Sequence, residues 1–152
     1  MTMTTTRVLA GAAASTALLA AMQGRLARVM GASMACPDWP LCQGRLIPEM
    51  SRLVFVEWMH RSLVLLTTVL VLAVAIAAWR QRGTVRALGV LALGFLLATA
   101  LIGGVSILRP IHPLFAAIDQ GLAMLTFGTL VALAGRPGRL HPVTIPRSAA
   151  RS

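Results

Sequence analysis

The chain has 152 residues, of which 57% are hydrophobic and only 12% are charged, and it contains no lysine and no tyrosine. A water-soluble domain of this size needs more polar surface, so the composition excludes that class and predicts a small membrane bundle. The formal net charge of +10 comes from fourteen arginines that are separated by strongly apolar sequence and do not form one basic face. This pattern argues against a nucleic-acid partner.

Four segments are long and apolar enough to cross a bilayer core of about 30 Å, for which a helix needs roughly 20 residues. We predict transmembrane helices at 4–23, 53–79, 87–108 and 114–134, and therefore an all-α integral membrane protein with a single domain over 1–152. The first segment, TTTRVLAGAAASTALLAAMQG, also has the features of a cleavable signal peptide: one arginine, a short apolar core and small residues. We favour a retained helix.

The arginines indicate which side of the membrane each connection faces. Eight fall on one side, in short segments where the positive-inside rule is most reliable, and six fall on the other side together with all four acidic residues. The side with eight is predicted to be the cytoplasm. Both termini and a tail over 135–152 then lie inside, and a long loop over 24–52 lies outside. The expected location is the inner (plasma) membrane, with lipid around a multi-pass protein.

Two cysteines, Cys36 and Cys42, lie in the predicted outer loop. An oxidising compartment makes a disulfide between them the expected state. Such a bond is either a structural link, stabilising by about 2 kcal/mol for so short a ring, or a redox-active pair. Zinc is not expected, because two thiols without nearby histidines supply only half of a tetrahedral site.

A carboxylate and a histidine, Glu57 and His60, appear where the second apolar segment begins. They are three residues apart, so on a helix they share a face. An ionisable residue inside a membrane is by default a candidate for function, because burying its charge is costly. In the alternative interpretation, Glu57 and Arg61 form an interfacial ion pair and His60 fills a packing gap.

Asp119 lies at a matching depth in the fourth segment. His60 is seven residues below Leu53 and Asp119 is six residues below Pro113, which places both about 10 Å deep at 1.5 Å per residue. We therefore expect Asp119 to face His60 or Arg61. A buried group of this kind is typical of a cofactor or proton-handling pocket, and histidine is a common ligand for heme iron between bundle helices.

The outer loop and the start of the second helix resemble a known family. The stretch GRLARVMGASMACPDWPLCQGRLIP, followed by EWMHR, is similar to the amino-terminal half of heme A synthase, the integral membrane enzyme of cytochrome oxidase assembly. The similarity continues through the Gly103 and Gly104 pair and RPIHPLFAAIDQGLA, and so covers about 24–134.

The resemblance implies a role for each matching position. Cys36 and Cys42 fall on the loop cysteine pair of the family, Glu57 on the carboxylate proposed to act in catalysis, and His60 on a heme-binding histidine. Arg28 falls on the family's loop arginine, which favours a retained first helix. The implied reaction oxidises the C8 methyl of heme O to a formyl group. Full-length members have two four-helix halves, so a chain resembling one half is expected to form a homo-oligomer.

One position departs from the family pattern. Where the family has a second heme-binding histidine in the fourth helix, this sequence has Asp119, a harder oxygen donor that replaces an axial imidazole poorly. His112 is expected in the outer turn and is a weaker candidate for a heme ligand. We take the candidate cofactor-binding residues to be His60, as the ligand of heme iron, with Asp119, Arg28 and Arg61.

The function expected from these observations is oxidation of heme O, with Glu57 as proton acceptor or charge stabiliser and heme O or heme b as the bound heme. Heme O synthase and oxidase subunits are the expected protein partners. Two alternatives stay open. One is a heme-binding or oxidase-assembly partner that does not turn over, because Asp119 has replaced a histidine. The other is a small b-type electron carrier.

Overall fold

The computed structural model describes residues 2–108 and 113–137. In this part of the chain four long helices are present: α1 Met3–Val29, α2 Arg52–Trp79, α3 Thr84–Leu108 and α4 Pro113–Ala134. Each is long and apolar enough to cross a membrane. The prediction of an all-α, four-helix membrane protein is confirmed, whereas the side on which the termini lie stays a prediction. His112 and most of the predicted tail lie outside the described residues.

The first helix is longer than predicted. It continues through Gly24 to Val29, so Arg28 lies in the last turn of α1 and not in the outer loop. An isolated glycine inside a helix costs only about 1 kcal/mol, which the good helix formers after it offset. The helix stops before Gly31, whose positive φ of 69° is a left-handed conformation that glycine adopts without strain.

The start of α2 and its junction with α3 follow local signals. Ser51 caps α2, since its side-chain oxygen accepts a hydrogen bond of 3.4 Å from the N–H group of Val54. Gly83, with a φ of 67°, makes the tight turn between α2 and α3. Pro113 begins α4, a position that suits proline because the first helical turn leaves its N–H groups unpaired.

The helices pack as a ring in chain order: α1 and α3 each contact both α2 and α4. One half of the bundle has a close-packed core, in which alanines of α1 meet larger side chains from the other helices. Its fully buried members are Ala10, Ala13, Val71, Val74, Ala92, Leu130 and Leu133. Small residues let helix backbones approach closely, which favours association inside a membrane. The other half, toward the loop between α1 and α2, is hollow.

Gly89 of α3 packs directly against Ala78 of α2. A Cβ atom added at Gly89 would lie 2.5 Å from the Ala78 Cβ, whereas one added at Gly94, in the same helix, would meet no atom within 4 Å. We expect Gly89→Ala to lower the free energy of unfolding by about 1–3 kcal/mol relative to Gly94→Ala, as overpacking usually does. Unfolding in mixed detergent micelles measures this difference. Equal stability of the two variants would contradict the packing of α3 on α2.

Candidate functional site

The loop between α1 and α2 is folded around a disulfide bond between Cys36 and Cys42, whose Cα atoms are 4.6 Å apart. Both cysteines are buried. The Asp38 carboxylate accepts hydrogen bonds of 2.7 Å from the backbone N–H groups of Gln43 and Gly44. These bonds, above all the one from Gly44, lower the pKa of Asp38 against the opposing effect of desolvation. The predicted disulfide is confirmed, and it closes a compact loop.

Arg61 of α2 holds this loop against the helices. Its Nη2 donates to the Cys36 carbonyl at 2.8 Å, and its Nη1 donates to the carbonyls of Asp38, at 2.6 Å, and Leu41. All three acceptors belong to the segment that the disulfide closes. The Nε donates to Glu57 Oε1 at 3.0 Å. A planar guanidinium can serve these acceptors together because its five N–H groups form a fixed fork.

The Glu57 and Arg61 ion pair lies inside the protein. The Glu57 side chain is 5% exposed and that of Arg61 is 13% exposed. In the described part of the chain the other salt bridge, Arg45 with Glu49, is a surface pair with side chains 64% and 85% exposed. Burying a carboxylate is costly unless a cation compensates it. The ion pair that the sequence offered as an alternative is therefore present, but it is buried and joined to the disulfide loop.

His60 packs against α1 and lines a cavity. Its Nδ1 lies 3.1 Å from the carbonyl oxygen of Ala20. A carbonyl only accepts, so Nδ1 carries the proton in the neutral ring and Nε2 keeps a free lone pair. The ring fits there because residue 24 is glycine: a Cβ at Gly24 would lie 2.6 Å from His60 Cε1. The sequence analysis missed Gly24, although a glycine inside a helix is a signal of close approach.

The cavity beside His60 has a volume of about 1380 Å³. It occupies the hollow half of the bundle, between the helices and the disulfide loop. The residues predicted for the site that line it are Arg28, Cys42, Glu57, His60, Arg61 and Asp119. Cys36 is not among the residues of the cavity wall. The cavity wall thus contains side chains from α1, α2, α4 and the loop, among them His60 and Asp119, which were expected at a matching depth.

Trp39 lies at the end of the cavity that faces the disulfide loop. Its indole ring lies over Gly104 of α3, where an added Cβ would be 3.3 Å from the ring carbons. Both residues line the cavity. The contact joins the disulfide loop to α3, so the loop spans the space between α2, which holds it through Arg61, and α3. Sequence alone did not indicate this contact, because the two residues are far apart along the chain.

Asp119 faces the cavity without the partner that was expected. It is partly buried, and its Oδ1 is buried with no hydrogen-bond partner. It forms no salt bridge in the described structure, because Arg61 is engaged by Glu57 and the loop carbonyls. Asp119 therefore shares the cavity with His60 and Arg61, but an ion pair between Asp119 and Arg61 is not present.

These residues suit a heme better than a bare metal ion. Among the described residues, no group of three His, Cys, Asp or Glu side chains comes together as a metal site. His60 instead offers one nitrogen on the wall of a cavity larger than the roughly 300–1,000 Å³ of common ligand pockets. Histidine is a common ligand of heme iron, and a heme bound between helices takes up a large, mainly apolar space.

Comparison with known proteins supports the same family that the sequence motifs suggested. The chain is 32% identical over 122 residues to a protein named heme A synthase from Bacillus pumilus, which covers 77% of this chain and 40% of that protein. It is 32% identical over 114 residues to heme A synthase of Bacillus licheniformis (72% and 38%), and 31% identical over 112 residues to that of Staphylococcus aureus (70% and 37%).

No family model and no solved structure matches the chain. The chain spans about two fifths of the length of the curated relatives it matches. Over that span the similarity takes in most of the chain, in agreement with the loop and helix motifs that suggested the same family. The chain is therefore a member of the heme A synthase family that corresponds to one part of its longer relatives.

Proposed function

We propose that this chain acts in heme A biosynthesis during cytochrome oxidase assembly, as an oxidoreductase that converts the C8 methyl of heme O to a formyl group. The observation that carries the proposal is His60, whose Nε2 is available on the wall of a large cavity. The same cavity holds two carboxylates, Glu57 and Asp119. The relatives named heme A synthase support the same class of function.

His60 would hold the heme iron through Nε2. The Ala20 carbonyl fixes the tautomer and the orientation of the ring, as second-shell acceptors commonly do for metal-bound histidines. Gly24 leaves the space that the imidazole occupies. A bound heme supplies the redox chemistry, while the chain supplies the ligand, the orientation of the macrocycle and a cavity between helices.

Glu57 would accept a proton or stabilise positive charge near the heme. It lies one helical turn from His60 on α2, and both residues line the cavity. The Nε of Arg61 fixes the position of the carboxylate and compensates its charge. A carboxylate held in this way can act at one place in the cavity without being drawn toward solvent.

Arg28 would bind a carboxylate group of the heme. It lines the cavity together with Arg25, and neither forms a salt bridge within the described structure. Arg28 is four residues beyond Gly24, which contacts His60, and is therefore about 6 Å further along α1. A heme carries two propionate carboxylates, and the guanidinium of Arg28, on the wall of the same cavity as His60, would be suited to pair with one of them.

We further propose that two copies associate to restore the two-half architecture of the longer relatives, in the plasma membrane, with heme O synthase or oxidase subunits as partners. Four helices able to cross a membrane support the location.

A second candidate function is heme binding without turnover, as an assembly partner or a b-type electron carrier. The observation that favours it is Asp119, whose buried Oδ1 has no partner and which supplies no second imidazole. His60 is the one histidine in the described part of the chain.

The two functions are separated by expressing the chain with a heme O synthase in a host that makes no heme A, and identifying the extracted hemes. We expect heme A from the wild type. His60→Ala should lose heme, because its ligand is gone, whereas Glu57→Gln should keep heme and lower conversion by about 100-fold or more, as loss of a proton-handling group does. His141→Ala, in the predicted tail, is the matched histidine control.

If the wild type yields heme O alone, the isolated chain does not act as the enzyme, and heme binding without turnover is the function that is supported. Equal heme content in the wild type and His60→Ala would remove His60 as the ligand.

Asp119→His should supply a second imidazole to the same cavity. We expect the reduced heme to shift toward a six-coordinate, low-spin absorption spectrum, because a second imidazole nitrogen would then line the same cavity as His60. Asp119→Asn, which changes the charge without adding a ligand, is the control and should leave the spectrum of the wild type. If Asp119→His has the same heme spectrum and the same stability as the wild type, Asp119 does not lie next to the heme.

A further inference from the structure

The end of the bundle opposite the disulfide loop carries positive charge. We call this surface the arginine end and define it by Arg7, Arg80, Arg82, Arg86 and Arg136. Two hydrogen bonds show that its parts meet in space.

One of these bonds runs from Arg7 Nε to the Ala134 carbonyl at 3.0 Å and joins the start of α1 to the end of α4. The other runs from Gln81 Nε2 to Thr6 Oγ1 at 2.9 Å and joins the turn after α2 to the start of α1. The five arginines therefore lie at one end of the bundle.

The chain offers no acidic partner to these arginines. Its four acids are Asp38, Glu49, Glu57 and Asp119. The first two lie in the disulfide-containing loop region, and the last two line the cavity at the same end of the molecule. Both salt bridges in the described residues are at that end as well. Within the described residues no carboxylate lies at the arginine end, so its guanidinium groups are open to anions from the surroundings.

The position of Arg86 indicates what kind of anion this is. Its guanidinium lies 3.9 Å from the ring centroid of Trp79, and Trp79 is 58% exposed at the end of α2. An exposed tryptophan at the end of a membrane-spanning helix marks the level of the lipid headgroups. The guanidinium stacked on it lies at that level too. Arg136 adds an Nε that is buried and has no acceptor among the described residues.

We propose that the arginine end binds the phosphate groups of anionic phospholipids in the leaflet that it faces. Arg80, Arg82 and Arg86 are exposed and close together along the turn from α2 to α3, where headgroup phosphates are the nearest anions. Basic residues next to membrane helices attract anionic lipid strongly enough that each one removed lowers binding about fivefold. This lipid site is independent of the heme cavity.

The test compares two double variants with the same change of charge. Arg80→Gln with Arg82→Gln removes two exposed arginines of the arginine end, and Arg45→Gln with Arg52→Gln removes two exposed arginines at the opposite end. Each protein is placed in vesicles of phosphatidylcholine with an equal amount of phosphatidylglycerol, then extracted. Native mass spectrometry counts the phosphatidylglycerol molecules that stay bound.

We expect the wild type and the opposite-end variant to retain phosphatidylglycerol, and the Arg80 and Arg82 variant to bind it about 25-fold more weakly, as two losses of fivefold imply. Equal retention by both double variants would overturn the proposal. A parallel arm measures the thermal midpoint of unfolding of the wild type in two conditions. One is phosphatidylcholine vesicles with inorganic phosphate, and the other is the vesicles that contain phosphatidylglycerol. Stabilisation of the wild type by phosphate equal to that by phosphatidylglycerol would assign the arginines to a small anion and would also overturn a lipid site.

Discussion

The site depends on one buried guanidinium. Moving an arginine and a glutamate out of water costs several kcal/mol for each ion, and the cost is offset only when charge and hydrogen bonds are both satisfied. Arg61 meets this condition with the Glu57 carboxylate on its own helix and with carbonyl groups of the disulfide-closed loop. The same contacts fix the loop over the bundle, where Trp39 reaches Gly104 of α3. The contacts of Arg61 therefore fix both the loop that covers the cavity and the position of the Glu57 carboxylate.

The bundle is divided into a packed half and a hollow half by the size of its side chains. Alanines of α1 allow close approach where Val71, Val74, Leu130 and Leu133 fill the space between helices. Toward the loop, the same helix carries Gly24, which admits the ring of His60, and a cavity of about 1380 Å³ lies beside that ring. The packed half and the hollow half therefore lie at opposite ends of the same four helices, and the residues proposed to bind heme line the hollow half.

Much of this arrangement could be predicted from the sequence, because its signals are local. Hydropathy over 18 or more residues identifies the four helices, and the spacing of Glu57 and His60 places them on one face. The extent of α1 was not predicted, because the decision between a helix and a loop after Gly24 depends on weak propensities. The contacts of Arg61 with the loop and of Trp39 with Gly104 join distant parts of the chain, and no local pattern encodes them. The unpaired Asp119 follows from Arg61 being engaged elsewhere.

We propose that Arg61 holds the disulfide loop over a heme bound to His60. The most direct measurement is the rate at which heme leaves Arg61→Lys, measured as transfer of heme to excess apomyoglobin. Arg52→Lys is the control, because Arg52 is exposed at the start of α2 and is not part of the cavity wall. A lysine keeps the charge but lacks the planar fork, so it cannot serve Glu57 and the loop carbonyls together. We expect heme to leave Arg61→Lys at least about tenfold faster than the control, because losing part of a buried network costs more than about 1.4 kcal/mol. Equal rates in the two variants would contradict it.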